Sequence, residues 1–361
     1  MTAPFDTLGT LGVEEEFYAV DSETLMPVSA SNDLLADPPA ELDGKLGTEL
    51  FKFVIETRTE KTWSLAEARD EILAKRKALK SHAQSYGYEI LAAGLHPAAR
   101  WNEHEHIDKP RYTKQLDRIR YPQYRNITAG LHVHVGVDDP DKAVWVANEI
   151  RIFLPMMLAL SANSPFWYGT DTGLRSARAL VFENLPNTGM PTAFDSWNEF
   201  ETFESPMVEQ GSIVDRGEIW WDVRPNSEYG TVEVRSPDSQ VDAERTYAFV
   251  SLIYTLVMEL SRRYAAGEEN TRARRELLDQ NKWRAIRHGH DASFLRLGAL
   301  DEADGVVELD EMLHETLDKI EVKDRRAVEN LLDYSGAQRQ LDVYSSDKND
   351  SFHDVLEILR I

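Results

Sequence analysis

Residues 12–17, Gly12-Val13-Glu14-Glu15-Glu16-Phe17, place carboxylates two residues apart in a segment that otherwise has the pattern of a buried strand. Alternate residues of a strand share one face, so Glu14 and Glu16 are expected to project together. Two carboxylates at that spacing repel each other unless a cation lies between them or one takes a proton. The stretch therefore predicts a cation site on a strand, with a solvated strand edge as the alternative.

The charge balance of the chain limits its partners. Among 361 residues, 63 are acidic and 40 are basic, which gives a formal net charge of −23. The acidic residues are spread over the whole chain, so phosphate-rich partners would be repelled from most of its surface. We therefore expect neither a nucleic acid nor an anionic membrane as a partner.

The basic residues are unevenly divided, with 27 arginines and 13 lysines. A dense carboxylate surface with few lysines resembles that of proteins adapted to concentrated salt, where screening reduces the repulsion between like charges. An ordinary acidic protein is the alternative. The composition predicts halophilic behaviour, which a salt titration of folding would test.

The chain contains no cysteine, so a bound metal must be held by oxygen and imidazole ligands. The N-terminal residues have neither a basic segment nor an apolar run typical of a signal peptide. The longest apolar stretch, residues 152–160, is shorter than the roughly 18 residues of a membrane span and contains Pro155. These features predict a cytoplasmic protein.

The order of strand-like and helical segments predicts an α+β fold with an antiparallel or mixed sheet. Ser64 and Glu67 form a capping box that begins a helix ending near Gly87. A helix is expected from Pro140 through Trp145 to Leu160. Residues 241–361 are mostly helical by pattern, and residues 1–361 are expected to form one catalytic domain. Strands are expected at residues 11–20, 51–57, 88–95 and 130–137, with a hairpin from 220–223 and 231–235.

Several strand-like segments carry polar side chains on one predicted face. An unpaired charge within such apolar segments would be costly. Carboxylates, imidazoles and arginines in this combination suit hard divalent cations that bridge to a phosphorylated ligand, and Mg2+ or Mn2+ fits oxygen-rich ligands better than zinc. Glu49 is expected in a loop or at the entry of a strand, because its seven-residue separation from Glu56 is odd. The pairs are Glu14 and Glu16, Glu49 and Glu56, His132 and His134, Asp222 and Arg224, and Glu233 and Arg235.

Other sites of catalysis or nucleotide binding find no support in the sequence. It contains no P-loop, no Gly-x-Gly-x-x-Gly fingerprint and no Gly-x-Ser-x-Gly elbow. If ATP binds, its phosphates must therefore be held by metal and arginine. His96, in Gly94-Leu95-His96-Pro97, has the position of a structural histidine at a strand end, with a ligand as the alternative.

The ordered motifs resemble the carboxylate-amine ligase family of glutamate-cysteine ligases, over about residues 8–290. The resemblance implies a fold like that of glutamine synthetase, in which an antiparallel sheet covered by helices forms a funnel for ATP, metals and glutamate. The motifs that carry it are Leu11-Gly12-Val13-Glu14-Glu15-Glu16-Phe17, Thr48-Glu49-Leu50-Phe51 through Ile55-Glu56, Gly130-Leu131-His132-Val133-His134-Val135-Gly136, Leu160-Ser161-Ala162-Asn163-Ser164-Pro165, Asp171-Thr172-Gly173-Leu174-Arg175-Ser176-Ala177-Arg178, Asp222-Val223-Arg224-Pro225 and Gly230-Thr231-Val232-Glu233-Val234-Arg235.

The resemblance implies an ATP-dependent ligase that forms γ-glutamylcysteine from L-glutamate and L-cysteine through a γ-glutamyl phosphate, with release of ADP and phosphate. Arg235 and Arg224 would contact ATP phosphates, and Arg178 or Arg224 a phosphate or a substrate carboxylate; a surface salt bridge is the competing interpretation for each arginine. Where some relatives have aspartate, this chain has Glu49. The ligands implied by matching motifs are Glu14, His132 and Glu233 for one metal, and Glu16, Glu49 and Glu56 for the other.

Three other functions stay open at this point. The same machinery could join glutamate or another acid to a different amine, because the metal motifs do not define the amine pocket. A non-catalytic regulator that binds metal or nucleotide, and a metal-dependent hydrolase that needs no ATP, are the others. A homo-oligomer is compatible with the sequence. The helices after Asp291 are expected either to cover the sheet or to form a contact between subunits.

Overall fold

The computed structural model describes residues 5–297, 303–346 and 352–361. Its strands are β1 (Leu11–Asp21), β2 (Leu46–Thr48), β3 (Val54–Arg58), β4 (Tyr88–Leu91), β5 (Leu131–Gly136), β6 (Phe166–Trp167), β7 (Thr170–Asp171), β8 (Thr188–Gly189), β9 (Trp220–Trp221), β10 (Val223–Asn226), β11 (Thr231–Val234), β12 (Ser293–Leu297) and β13 (Ala303–Glu308). Its α-helices are α1 (Ser31–Ala36), α2 (Leu65–Ser85), α3 (Pro110–Ile119), α4 (Tyr121–Tyr124), α5 (Pro140–Ile150), α6 (Leu154–Ser161), α7 (Ala177–Glu183), α8 (Trp197–Glu209), α9 (Ala243–Ala265), α10 (Arg275–His288), α11 (Leu309–Lys319), α12 (Arg325–Glu329), α13 (Gly336–Ser346) and α14 (His353–Glu357).

The main sheet is antiparallel, in the order β10-β11-β5-β1-β3-β2, and β4 pairs with the second half of β1. The 11-residue strand β1 is long enough to pair with β5 near its start, with β3 in its middle and with β4 at its end. The predicted α+β fold with a helix-covered antiparallel sheet is confirmed.

The two faces of the sheet differ because side chains alternate along each strand. On one face, Val13 and Val133 pack in a large apolar core with residues of α5, α6 and α9. Phe17, four residues further along β1, packs beside α2 through Leu79. The helices therefore cover this face, and Glu14, Glu16, His132 and His134 lie on the other.

Helix α2 follows its sequence signals. Ser64 caps it by accepting a hydrogen bond from the backbone N–H of Glu67, and the Glu67 carboxylate accepts one from the N–H of Trp63. Its buried residue Arg76 donates to both oxygens of Glu15, which points away from Glu14 and Glu16. Glu15, the middle residue of Glu14-Glu15-Glu16, thus anchors helix α2 to the sheet.

The single helix predicted from Pro140 to Leu160 is wrong. The segment forms α5 and α6, which are bent by 62° relative to each other. Arg151, at the break, donates to the carbonyl oxygens of Asn148 and Pro191, and Pro155 occupies the first turn of α6. A proline is tolerated there because the first N–H groups of a helix have no partner within it.

The last third is helical as predicted, but it also contains the unexpected hairpin of β12 and β13. Leu313 of α11 packs with α6 and α9 on the helical side, whereas Leu359 packs with residues of the sheet. The N–H of Ala92 donates to the carbonyl oxygen of Leu359, so the chain end runs beside β4. Part of this region therefore covers the sheet.

Within the described ranges, no single helix combines the length and hydropathy of a membrane span; only the bent pair of α5 and α6 does so when taken jointly.

Candidate metal and phosphate site

A polar cavity of about 310 Å³ opens on the sheet face that the helices leave uncovered. Strands β1, β3, β5, β10 and β11 supply its floor, and residues from α3, α4, α7 and nearby loops supply its walls. All six predicted metal ligands and all three predicted arginines line it: Glu14, Glu16, Glu49, Glu56, His132, Glu233, Arg178, Arg224 and Arg235.

The strand register explains why these side chains meet. Glu14 lies opposite His132 on one side and Arg58 on the other. Glu16 lies opposite Glu56. In antiparallel pairs, opposed side chains on one face lie within direct reach of each other. The face therefore carries successive rows of charged groups across the sheet.

One group of three potential ligands consists of Glu14, His134 and Glu233, whose donor atoms all lie within 4.8 Å of one another. His134 Nε2 is 3.7 Å from Glu14 Oε1 and 3.9 Å from Glu233 Oε1. This nitrogen is buried and has no hydrogen-bond partner among the described residues. A buried nitrogen that has no hydrogen-bond partner and lies between two carboxylates is what we expect of a residue that binds a cation.

The predicted ligand in this group was His132 rather than His134. His132 Nδ1 lies 3.2 Å from Glu14 Oε2 and 3.5 Å from Nη1 of Arg235. The register, however, pairs Glu233 with His134, so His134 is the imidazole that lies between the two carboxylates. Both histidines contact Glu14.

The charges around this group favour ionised carboxylates. Burial would raise the pKa of Glu14, but the hydrogen bond with His132 and the nearby imidazole of His134 outweigh burial and hold that pKa well below its ordinary value. Burial is similarly outweighed at Glu233, where the charges of Arg224 and Arg235 keep the pKa well below its ordinary value. Both carboxylates are thus held in the ionised form, which is the form that binds a cation.

The second group, Glu16, Glu49 and Glu56, has no comparable imidazole, and its ligand atoms also lie within 4.8 Å of one another. Burial and the neighbouring Glu16 raise the pKa of Glu49 to about 7. Burial, Glu14 and Glu49 raise the pKa of Glu56 well above its ordinary value, with Arg58 opposing. As predicted, Glu49 lies outside a strand, just after β2.

The second group fits a hard divalent cation. Three carboxylates around one point provide the oxygen ligands that Mg2+ and Mn2+ prefer, and a bound cation would reverse the effects that raise these pKa values. The described donors include no thiolate, and His134 is the single imidazole in the two groups. The donor set is therefore better suited to Mg2+ or Mn2+ than to zinc.

Two of the predicted arginines bind Glu233 directly. Arg224 donates from Nε to Glu233 Oε2 over 2.7 Å, and Arg235 donates to Oε1. Asn226 adds a bond of 2.9 Å to Oε2. A carboxylate has room for more than two partners, so these contacts are compatible with a cation at the same residue. They are buried ion pairs rather than the surface salt bridges of the alternative interpretation.

Asp222 does not share the cavity face with Arg224, contrary to the predicted pairing. The chain bends at Asp222, between β9 and β10, so strand alternation does not continue through it. Its carboxylate instead lies 2.5 Å from Lys282 Nζ, and Glu183 also contacts that ammonium group. Asp222 is a structural ion-pair partner of helix α10.

Sequence patterns missed one whole wall of the cavity. Residues of the segment from α3 to β5 line it, among them Tyr112, Gln115 and Gln123. Gln115 donates to the buried carboxylate of Glu218 and accepts from Gln123. Amide side chains at irregular spacing give no periodic signal, so only the fold reveals them.

Fold and site define an enzyme class in which an antiparallel sheet presents acidic clusters and arginines to one cavity, an arrangement suited to phosphoryl transfer. The chain belongs to glutamate-cysteine ligase family 2, whose family model matches residues 10–351.

Named relatives agree with this family. The chain is 56% identical over 339 residues to a glutamate--cysteine ligase of Haloferax volcanii, covering 93% of both chains. It is 55% identical to the enzyme of that name from Natronomonas pharaonis, covering 96% of this chain and 94% of the relative. A putative glutamate--cysteine ligase 2 of Sorangium cellulosum is 36% identical, covering 97% and 95%.

Solved structures share the fold at low identity. A glutamate--cysteine ligase from Francisella tularensis in complex with AMP has a TM-score of 0.69 and 14% identity, covering 98% of this chain and 88% of that one. A bifunctional glutathione synthetase from Pasteurella multocida has a TM-score of 0.68 and 15% identity, covering 98% and 52%.

Proposed function

We propose that this protein is an ATP-dependent ligase that forms γ-glutamylcysteine from L-glutamate and L-cysteine. The observation that carries the proposal is the meeting of two acidic clusters with Arg178, Arg224 and Arg235 in one cavity. Phosphoryl transfer needs positioning and charge neutralisation, and these groups supply both. Relatives with at least half of their residues identical carry the same enzyme name.

In the proposed reaction, an oxygen of the glutamate γ-carboxylate attacks the γ-phosphorus of ATP, and ADP leaves. The cysteine amine then attacks the carbonyl carbon of the acyl phosphate, loses a proton, and phosphate departs with the original carboxylate oxygen. Mg2+ at the two clusters would neutralise charge on the transferring phosphoryl group. Glu14, His134 and Glu233 would hold one ion, with His132 beside them, and Glu16, Glu49 and Glu56 the other.

The arginines would act on the anionic groups. Arg224 and Arg235 are held at the cavity by Glu233 and are proposed to contact phosphates of ATP. Arg178 would receive a phosphate or substrate carboxylate, because bidentate recognition of such groups is typical of arginine. Cytoplasmic location, single-domain organisation and self-association stay predictions from the sequence.

The test is product analysis with labelled glutamate at high KCl. The protein is incubated with ATP, Mg2+, L-cysteine and L-glutamate carrying ¹⁸O in its γ-carboxylate, with each component omitted in turn. We expect γ-glutamylcysteine only in the complete mixture, with one ¹⁸O atom transferred to the released phosphate. Mass spectrometry measures both products.

Other outcomes would identify the alternatives. Transfer of ¹⁸O to phosphate without formation of the dipeptide would show that the protein activates glutamate. Its second substrate would then be an amine other than cysteine. Cleavage of added γ-glutamylcysteine to glutamate and cysteine in the absence of ATP would indicate a hydrolase. A folded protein that does not consume ATP would contradict the ligase proposal, although the presence of every predicted ligand in the cavity argues against a non-catalytic regulator.

A further inference from the structure

Asp238 lies behind the cavity wall and is completely buried. Its Oδ2 accepts hydrogen bonds from the N–H of Asn163 over 2.9 Å and from Ser164 Oγ over 2.7 Å. Its Oδ1 accepts from Ser176 Oγ over 2.9 Å and lies 3.7 Å from Nη1 of Arg178. Burial raises the pKa of Asp238, and the nearby Arg178 guanidinium opposes that rise.

The same groups fix the start of helix α7, which carries Arg178. Ser176 immediately precedes that helix, so its bond to Asp238 anchors the first turn. Ser164 Oγ donates to Asp238 and accepts from the N–H of Arg178 over 3.2 Å. Asp238 therefore constrains Arg178 through the backbone as well as through charge.

The backbone nearby leaves little freedom to the pair. A Cβ atom on Gly94 would lie 2.5 Å from Cγ of Asp238. A Cβ atom on Gly130 would collide with the guanidinium of Arg178. The N–H of Gly130 also donates to Glu16 over 2.6 Å, which places Arg178 beside the second acidic group. Both glycines permit a close approach that any larger residue would prevent.

Arg178 is held from one side only. Nη1 donates to the carbonyl oxygen of Ser236 over 3.1 Å, and Nη2 donates to that of Arg235 over 3.3 Å. Nε is buried and has no partner among the described residues, although Arg178 lines the cavity. A buried guanidinium N–H without an acceptor is costly, so an anionic oxygen in the cavity would complete its bonding.

We propose that Asp238 is a positioning residue that orients Arg178 so that its free N–H receives an anionic oxygen of a substrate. The oxygen belongs either to a carboxylate of glutamate or to a phosphate of ATP. The inference rests on the proposed function, since it assigns a role within that cavity. Asp238 itself touches no substrate in this arrangement.

A double-mutant cycle tests the proposal. Asp238→Asn keeps the shape of the side chain and removes its charge. Arg178→Lys keeps the positive charge and removes the planar guanidinium group with its several N–H donors. We expect Asp238→Asn to raise the KM of one substrate about tenfold, and to add less than about twofold in the Arg178→Lys background. Whether the KM of glutamate or of ATP changes identifies the anionic oxygen.

Glu149→Gln is the matched control, because Glu149 is a buried carboxylate that accepts bonds from Thr271 and Asn270, which, like Glu149, do not line the cavity. It should lower the unfolding midpoint and leave both KM values unchanged. If Asp238→Asn behaves like this control, or raises KM equally in both backgrounds, the positioning role is wrong.

The test can still be made if a variant does not fold or if the wild-type protein shows no ligase activity. If Asp238→Asn does not fold, Ser176→Ala takes its place in the cycle and is judged by the same criteria. If the wild-type protein makes no γ-glutamylcysteine, the proposed function fails. The Kd values of glutamate and ATP, measured by calorimetry with Mg2+ present, then replace the KM values and decide the role of Asp238 separately.

Discussion

Glu49 and Glu56 are carboxylates whose nearest charged neighbours include other carboxylates. Their pKa values are raised by burial and by this crowding, so ionising them in the metal-free protein opposes folding. A divalent cation would remove the opposition. The second acidic group should therefore make stability depend on metal.

Glu49→Gln is expected to raise the unfolding midpoint of the metal-free protein by about a few degrees, because it removes one of the crowded charges. It should also weaken Mg2+ binding about tenfold or more. Thermal unfolding in EDTA and in increasing Mg2+ measures both effects. Glu60→Gln is the control, since this exposed residue lies outside the group and its carboxylate pairs with Lys45. A lower metal-free midpoint with unchanged Mg2+ affinity would remove Glu49 from the metal site.

His96 is a structural histidine, in agreement with the expectation from its place at a strand end. It is fully buried, with Nε2 2.9 Å from the carbonyl oxygen of Leu25 and Nδ1 accepting from the N–H of Ala99 over 3.1 Å. This pattern requires a neutral ring with its proton on Nε2. Burial accordingly lowers the pKa of His96 to about 4.

The lowered pKa makes His96 a source of acid instability. His96 takes up a proton near pH 6.5 in the unfolded chain but only near pH 4 in the folded protein. The contribution of neutral His96 to the free energy of unfolding is therefore complete above pH 6.5 and is lost as the pH falls toward 4. The loss amounts to about 3 kcal/mol at most. Denaturant unfolding of wild type and His96→Gln, at constant salt, should show a stability difference that shrinks over this range. A difference independent of pH would contradict this assignment.

At the scale of elements, Lys282 joins helix α10 to two parts of the cavity wall. Its ammonium group contacts Asp222, at the base of the β10–β11 hairpin, and Glu183, at the end of α7. Lys282 and Asp222 are buried. The hairpin carries Arg224 and Glu233, so this ion-pair group holds the elements that form the candidate site.

Lys282→Met should destabilise the protein by about 3–5 kcal/mol, because it leaves the buried carboxylate of Asp222 and the partly exposed carboxylate of Glu183 without their cation. Asp222→Asn in the same chain should recover part of the loss, since it removes one of those carboxylates. Urea unfolding measures the series, with exposed Lys323→Met as the control. Equal stability of Lys282→Met and the control would show that the group contributes nothing to folding.

At the scale of the whole molecule, the net charge of −23 sets the solvent conditions for folding. Many carboxylates on one compact body repel one another, and salt reduces the range of that repulsion. Relatives at 51% to 56% identity come from haloarchaea. This agrees with the halophilic behaviour predicted from composition.

The unfolding midpoint is therefore expected to rise as KCl increases from about 0.1 M to about 2 M. Most of this rise should occur at the lower concentrations, where added salt changes the screening of charge most. Sucrose is the control, because it favours burial without screening charge. Full stability in dilute buffer would contradict the halophilic prediction.

The sequence by itself predicted the α+β class, the polar face of β1 and the capped helix α2. These features depend on local periodicity and capping, which neighbouring residues determine. It also indicated that Glu49 lies outside a strand. The break between α5 and α6 had a local signal in Pro155, which cannot donate the backbone bond to residue 151 that one continuous helix requires. The contact of Arg151 with distant Pro191 had no such signal.

Only the tertiary structure decided which side chains share a site. Strand register places His134, not His132, opposite Glu233, and a bend at Asp222 turns that residue toward Lys282. The cavity wall that contains Gln115 and Gln123 is formed by helices α3 and α4, where the irregular spacing of the amide side chains gives no periodic signal. Local sequence thus determines which face of a strand is polar, whereas the register between strands distant in sequence determines which polar groups meet.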